Sequence, residues 1–360
     1  MLIGASSIYG TAIYGLMTLI GLGSFAYVVA TQKFSNKTKI IVFFFTFYLF
    51  GVISFFYTNN YRIQDYLIIA QYFGIALLVY RYGANYSINK FFFIIYVLYF
   101  GANMLAGIHP DNLFIGFSRN NIPVTLLVQS VLLYIAMFEN RKSIRLYPVL
   151  ALLLFSIWTI GRSSIFTSLL MLILMILYIQ FNSEKRNFKI IYLSVIILIG
   201  YSVISLFFYD ELIEPALARL FRLGITDSHR GNIVGEYLNQ CKTSFYTLFL
   251  GVNINYNLLF SIYGYNLHNS YLRLHAYHGL LGFIMISFFS LKAVLNFLIR
   301  KYYLFFLLFL IVLIRGVTDI VAFHGPFDPL IYYFIFKSLN IQGKLTKKYH
   351  KGVNNNVTSN

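Results

Sequence analysis

The sequence predicts an all-α, polytopic integral membrane protein of about eleven transmembrane helices with one large extracytoplasmic loop. Three observations predict it. The chain is 59% hydrophobic and only 11% charged, with a mean hydropathy of +0.72, whereas soluble domains carry roughly 25% charged residues. Apolar runs of about membrane-spanning length recur along it. The polar connections between those runs alternate in charge, as loops on opposite faces of a membrane do.

The expected spans cover roughly residues 8–30, 40–58, 64–80, 91–108, 121–138, 146–160, 163–180, 190–208, 276–297, 302–318 and 321–337, each long enough, or nearly so, to cross with some tilt. This divides the chain into an N-terminal membrane region of about eight spans (1–208), a large loop (209–275), a C-terminal membrane region of about three spans (276–340) and a cytoplasmic tail (341–360). The tail is polar and Asn-rich from Gly352 onward, a composition that predicts disorder. The N-terminus lacks a basic n-region and a clear cleavage site, so no removable signal peptide is expected.

Basic residues set the orientation. Nineteen of the 28 lie in alternate connections, at Lys33, Lys37, Lys39, Arg81, Lys90, Arg141, Lys142, Arg145, Lys185, Arg186, Lys189, Lys292, Arg300, Lys301 and in the tail from Lys337. The positive-inside rule makes this set cytoplasmic, with the N-terminus outside and the C-terminus inside. The formal charge of +17 therefore points to membrane sorting, not to nucleic acid. The 38 Phe and 31 Tyr supply rings for both interfaces, and some for sugar. Cys241 is the single cysteine, which excludes an intrachain disulfide and a multi-Cys metal site.

The outer set differs in kind. It keeps Arg rather than Lys, at Arg62, Arg119, Arg162, Arg219, Arg222, Arg230, Arg273 and Arg315, and holds six of the seven histidines. Sorting explains few lysines outside; it does not explain retained arginines. Arg binds phosphate bidentately and stays charged in a dry site. Within the long loop, Ile213, Ala216, Leu217, Leu220 and Phe221 form an apolar stripe for a helix lying on the membrane surface. Thr226-Asp227-Ser228 offers a cap for a second helix carrying Ile233, Val234, Tyr237 and Leu238, with His229 and Arg230 in its first turn.

Two constellations bear chemistry. On a helix continued back to His268, the residues His268, Tyr271, His275 and His278 fall within about 80° of one another, and Arg273 points elsewhere. This predicts a polar face with one histidine as general base. The plainer reading, favoured for His275 and His278, is interfacial histidines that are merely hydrogen-bonded. No carboxylate stands at a clear ligand spacing, so no metal site is expected. Gly279 and Gly282 give a small-residue step for close helix packing. The second constellation is Arg119, Arg162 and Arg315, each in a tight outer turn. Arg315 and Asp319 are four apart and suit a local ion pair. Arg119 and Arg162 have no acid within four residues. A cationic bowl on this face would accept a lipid-linked phosphate.

The string His268-Asn269-x-x-Leu272-x6-Gly279-x-x-Gly282 resembles the signature of the O-antigen polymerase and O-antigen ligase superfamily, bacterial membrane glycosyltransferases acting on undecaprenyl-pyrophosphate-linked sugars. The layout, many spans and one large periplasmic loop ending at this string, is similar over most of the chain. Gly161-Arg162-Ser163-Ser164 and Ser118-Arg119-Asn120 resemble Arg turns of that family, and Arg230 resembles its loop Arg, with Gly251 as the later Gly. Tyr277 stands where the family often has an acid, and a Trp common shortly after the loop Arg is absent. The resemblance implies that Arg119, Arg162, Arg230 and, more loosely, Arg315 hold the donor pyrophosphate. It implies His268 as catalytic base, with Asn269, Tyr271, Arg273, His275 and His278 as supporting or sugar-binding residues. It implies no cofactor, since pyrophosphate is an activated leaving group. Expected partners are undecaprenyl-pyrophosphate-linked oligosaccharides, membrane lipids and a chain-length regulator. The expected activity is an O-antigen polymerase at the inner membrane. A ligase using the same donor is the near competitor, and a transporter or flippase the distant one.

Overall fold

The computed structural model describes residues 8–31, 37–60, 63–113, 118–182, 228–262 and 264–339; the side chains of 8–14, 63–66, 228–230, 256 and 259 are not among those described. The eighth expected span, the surface helix at Ile213–Phe221, the cap at Thr226-Asp227 and the tail lie outside these residues.

Every regular element among the described residues is helical, with no strand. The helices are α1 (Ile8–Thr31), α2 (Lys37–Thr58), α3 (Ile63–Tyr82), α4 (Tyr86–Leu105), α5 (Asn121–Glu139), α6 (Tyr147–Trp158), α7 (Arg162–Phe181), α8 (Ser228–Cys241), α9 (Phe245–Leu250), α10 (Leu258–Ile262), α11 (Ser270–Ile299), α12 (Tyr303–Thr318) and α13 (328–339). Five of them, α2, α4, α5, α7 and α11, are long and apolar enough to cross a membrane; parts of α1 and α3, with α6 and α12, are shorter apolar helices. A helix satisfies its own backbone, which is the condition for crossing hydrocarbon.

Two helix starts differ most from expectation. The ninth expected span, α11, starts at Ser270, not 276, because the Asn269 side chain caps it by accepting from the N–H groups of Tyr271 and Leu272. The last helix starts at 328, not 321. Residues 320–327 are not helical, and Phe323 and His324 have left-handed backbones with φ of 56° and 77°.

The chain divides into two compact units that interleave in sequence. One comprises Met1–Tyr14, Ala84–Asn232 and Leu313–Asp319. Its centre is α5, which packs on α4 and α6 and buries Leu126, Val131, Leu133, Tyr134, Ile135 and Met137. The start of α4 and the end of α5 are tied together. Ala84 N–H donates to Glu139 Oε2 (2.9 Å) and Asn140 Nδ2 donates to Ala84 O (2.7 Å). With short turns joining α5, α6 and α7, the chain runs up and down and leaves the starts of α5 and α7 at the opposite end.

The other unit comprises Gly15–Gly83, Ile233–Val312 and Ile320–Asn360. Its core is aromatic: Phe43, Phe44, Phe47, Phe73, Tyr332 and Phe336 touch in edge and offset pairs. Such pairs add about 0.5–1.5 kcal/mol beyond burial. In this unit α2 and α11 pack along one another. A satellite core of Ile233, Tyr237, Val252, Phe260, Leu267 and Ala276 joins α8 to the head of α11.

Candidate functional site

The first unit gathers the arginine turns. Gly161 caps α7 with extended backbone, and a Cβ there would stand 2.9 Å from Asn120 Oδ1 and 3.3 Å from Ser164 Oγ. The 118–120 turn therefore lies against the 161–164 turn. Ser164 Oγ in turn accepts from Arg315 Nη2 at 3.3 Å. Arg119, Arg162 and Arg315 thus come to one end of the unit although they are spread over nearly two hundred positions.

Their environments differ. Arg119 Nη1 is 3.6 Å from Asp111 Oδ2, an acid eight residues away that a four-residue window does not reach. The Asp111 carboxylate is half exposed, and exposed pairs are worth little. Arg162 is the first residue of α7, where the helix dipole opposes a positive charge; helix stability gives no reason for it. Arg315 is 1% exposed and donates to Thr318 Oγ1 (3.0 Å) and Asp319 Oδ2 (3.1 Å) as well as to Ser164. The local ion pair with Asp319 is formed. Arg230 lies in the first turn of α8, with its side chain outside those described.

In the second unit the polar residues surround the head of α11. His268 precedes the helix. Its backbone is left-handed (φ 49°), and its N–H donates to Asn266 Oδ1 at 2.8 Å. It is therefore not on the helical face with His275 and His278; the helix begins two residues too late for that projection. Ser270, fully buried, accepts at Oγ from the N–H groups of Val321 and Ala322, both at 3.0 Å. Tyr271 meets Phe323 at 5.9 Å between ring centroids. The 320–327 loop is thereby docked on the first turn of α11.

His275 is fully engaged. Its Nε2 lies 2.7 Å from Leu248 O, which can only accept, so Nε2 carries the proton. The neutral ring then accepts at Nδ1 from the Tyr237 hydroxyl at 2.8 Å. Burial raises the Tyr237 phenol well above its usual range, and lifts the nearby Cys241 thiol to about 11. Both stay protonated near neutral pH. This arrangement fits the plainer expectation for His275.

Gly279 breaks α11 with φ 62° and ψ −174°, a region open essentially to glycine. A Cβ there would overlap Phe249 O of α9. The close packing expected of it is present, and it is also a break in the helical backbone. Near the break, Ala276 O accepts from Asn60 Nδ2 (2.9 Å). Asn60 also donates to Val252 O (2.7 Å) and accepts at Oδ1 from Ile254 N–H (2.9 Å). A Cβ at Gly251, itself at φ 102°, would stand 2.6 Å from His275 O. At Gly282 it would collide with the Cβ of His278 and stand 3.7 Å from Phe50 of α2. Both glycines thus allow close packing, Gly279 against the backbone of α9 and Gly282 against His278 of its own helix.

His278 is buried and stacks on Phe47, with centroids 4.0 Å apart and planes 16° from parallel. Its Nε2 is 3.4 Å from His324 Nε2. His324 is held by its own loop: Asp328 takes the N–H groups of Phe323, His324 (2.7 Å) and Gly325 (3.4 Å). Consecutive N–H groups converging on one carboxylate form a nest. Tyr277 stacks on His324 at 5.1 Å, and Arg273 lies over Tyr277 at 5.4 Å.

Asn60, Asp111, Ser270, His324 and Asp328 carried no assigned role in the sequence. The Gly325-Pro326 pair is a breaker signal inside the expected last span and marks the loop that presents His324. The others are long-range partners with no local signature. Among the described residues no three His, Cys, Asp or Glu side chains are grouped to hold a metal ion. Compared with known proteins, the chain matches no family model and no curated protein.

Proposed function

We propose that this protein is a glycosyltransferase that polymerises undecaprenyl-pyrophosphate-linked oligosaccharide repeat units on the outer face of the bacterial inner membrane, in the manner of O-antigen polymerases. The observation that carries the reading is the convergence of the Arg119, Arg162 and Arg315 turns at one end of one unit. Arg162, which helix energetics disfavour at its position, is the strongest candidate for a pyrophosphate clamp. Preorganised cations stabilise a leaving pyrophosphate without metal or ATP. Arg119 and Arg230 assist it, and Arg315 braces the Ser164 turn that carries it. His268, at the start of α11 and outside the hydrogen-bonded pair His275–Tyr237, deprotonates the attacking sugar hydroxyl. Eleven crossings, with the N-terminus outside and the C-terminus cytoplasmic, put these groups on the outer face. Reporter fusions at Lys39, Lys142 and Lys301 should read cytoplasm, and fusions at 228–245 the outside.

The test is the product formed in cells carrying His268→Ala or Arg162→Lys, at wild-type protein levels. General-base loss typically costs about 10²–10⁴ in rate, so long polymer should vanish while lipopolysaccharide capped with one repeat unit remains. Lipopolysaccharide lacking any O antigen, with lipid-linked polymer accumulating, identifies a ligase instead. Normal long chains in both variants would remove the transferase reading. A transporter is the second reading, and the broken α11 beside buried His278, His324 and Asp328 favours it. Polymer made by detergent-purified protein from lipid-linked repeat units, with no membrane to cross, decides for the transferase.

A further inference from the structure

The side chains from Arg273 to Phe47 form a continuous column. The Arg273 guanidinium lies over the Tyr277 ring at 5.4 Å. Tyr277 stacks on His324 at 5.1 Å and 21°. His324 meets His278 at 3.4 Å, and His278 stacks on Phe47 at 4.0 Å. The inner end of the column is buried and its outer end, Arg273, is partly exposed at the head of α11, one turn after His268.

The backbone bears a cost to hold this column. Phe323 and His324 are consecutive non-glycine residues in left-handed conformation. Strain of this kind persists only where surrounding bonds over-determine it, and it gathers at functional sites. Here Asp328 supplies three bonds to the loop and Ser270 two. Their joint effect is to set the His324 ring behind Tyr277.

A structural arginine at this place would pair with an acid. The Asp328 carboxylate is within electrostatic reach of Arg273 and His324, yet it is taken by three backbone N–H groups. Among the described residues the Arg273 guanidinium forms no hydrogen bond or ion pair; it lies on a ring. A guanidinium beside a ring gains a cation–π contact and keeps its N–H fork for a bidentate anion. The positive end of the α11 dipole adds to the attraction.

We propose that Arg273, lying over the Tyr277 ring that stacks on His324, is a phosphate-binding residue for lipid-linked pyrophosphate. The proposal rests on the transferase reading above. It makes Tyr277 a positioning residue that acts through Arg273.

The test is equilibrium binding of radiolabelled undecaprenyl pyrophosphate to the full chain in phosphatidylcholine nanodiscs. Arg273→Gln should weaken binding about tenfold or more, the worth of a charge-assisted pair. Tyr277→Leu should weaken it less, and Tyr277→Phe should bind as wild type, because the platform needs the ring and not the hydroxyl. All variants are compared as monodisperse protein. Wild-type binding that Arg162→Gln weakens and Arg273→Gln does not overturns this assignment and spares the transferase reading. No binding by wild type overturns both. Phosphatidylglycerol nanodiscs separate the phosphate sources. If they abolish the difference between wild type and Arg273→Gln, the residue holds a lipid headgroup and the donor assignment falls; a persisting difference supports it.

Discussion

In the unit centred on α5, the arginines gathered at one end bond to other side chains: Arg315 to Ser164, Thr318 and Asp319, and Arg119 to Asp111. In the unit built on α2 and α11, polar side chains around the break in α11 and the 320–327 loop bond to backbone. Asn60 takes Val252 O, Ala276 O and Ile254 N–H; His275 takes Leu248 O; Ser270 and Asp328 take five N–H groups of the 320–327 loop. The cause is the backbone itself. Regular helices consume their own N–H and C=O groups, leaving side chains to pair with each other or with a ligand. A broken helix and an irregular loop leave groups that must be satisfied from within the protein. Polar side chains thus pair with one another at that end of one unit and hold broken backbone in the other. Arg273, which lies over the Tyr277 ring, is the exception in the second unit.

The sharpest way to break this comparison is to force α11 straight. Gly279→Ala places a Cβ on Phe249 O in a backbone region that alanine rarely enters, and the strain plus displacement should cost about 4 kcal/mol. We expect little monodisperse protein and a large fall in melting temperature in detergent. An unchanged melt would show that the break is incidental.

The next effect lies in the other unit. Asp319→Ala leaves the Arg315 charge buried without its carboxylate and should cost about 3 kcal/mol. Arg315→Met added to Asp319→Ala should restore most of the melting temperature, because two charges leave together. Polymer synthesis by that double variant then divides the possible roles of Arg315: activity near wild type makes it a brace for Ser164, and lost activity makes it a pyrophosphate ligand. Failure of the double variant to recover stability would contradict side-chain pairing as the basis of this end.

Asn60 provides a smaller test. Asn60→Ala removes three bonds to buried backbone. Relaxation and water recover part of the loss, leaving about 2 kcal/mol. The melting temperature should fall by more than in Asn255→Ala, whose side chain makes one 3.3 Å bond at the surface. Equal effects would mean that the break in α11 is satisfied elsewhere.

These contrasts also explain what the sequence could reveal. Helix positions were legible because apolar runs report lipid-facing and core-facing residues alike; the Asn269 cap was not read, because the hydrophobic run begins several residues after it. The meeting of the Arg119, Arg162 and Arg315 turns was legible from alternating topology, which sends such turns to one face. The Gly279 break was not, since a helical projection assumes the φ that this residue violates. Nor was Asn60, whose partner Ala276 lies 216 positions away. Tyr277 was visible only as a departure from a resembled signature, where an acid is common; its ring under Arg273 gives that departure a physical role. The Gly325-Pro326 signal was outweighed by the hydrophobicity of the residues after it.

The smallest expected effect concerns Tyr237 and His275. The Nε2–H of His275 is committed to Leu248 O, so Nδ1 is the acceptor that Tyr237 satisfies. Tyr237→Phe removes that donor while keeping the ring, and Cys241 Sγ at 3.9 Å is a weak substitute. The loss should be about 1 kcal/mol, read as a modest drop in melting temperature with polymer synthesis retained. Alkaline pH offers an independent check. The thiol of Cys241 is raised from 9.0 to about 11, and the Tyr237 phenol is raised above its usual range by burial. Each group prefers its neutral form in the folded state, so its contribution is complete below the unfolded pKa and is lost as pH rises above it. Wild-type stability should therefore begin to fall near pH 9 and continue downward toward pH 11. Cys241→Ala should flatten the early part of that fall and leave the later part, which belongs to the phenol. An identical alkaline profile in Cys241→Ala and wild type would separate the satellite core from the titration and leave the Tyr237–His275 bond as a packing contact alone.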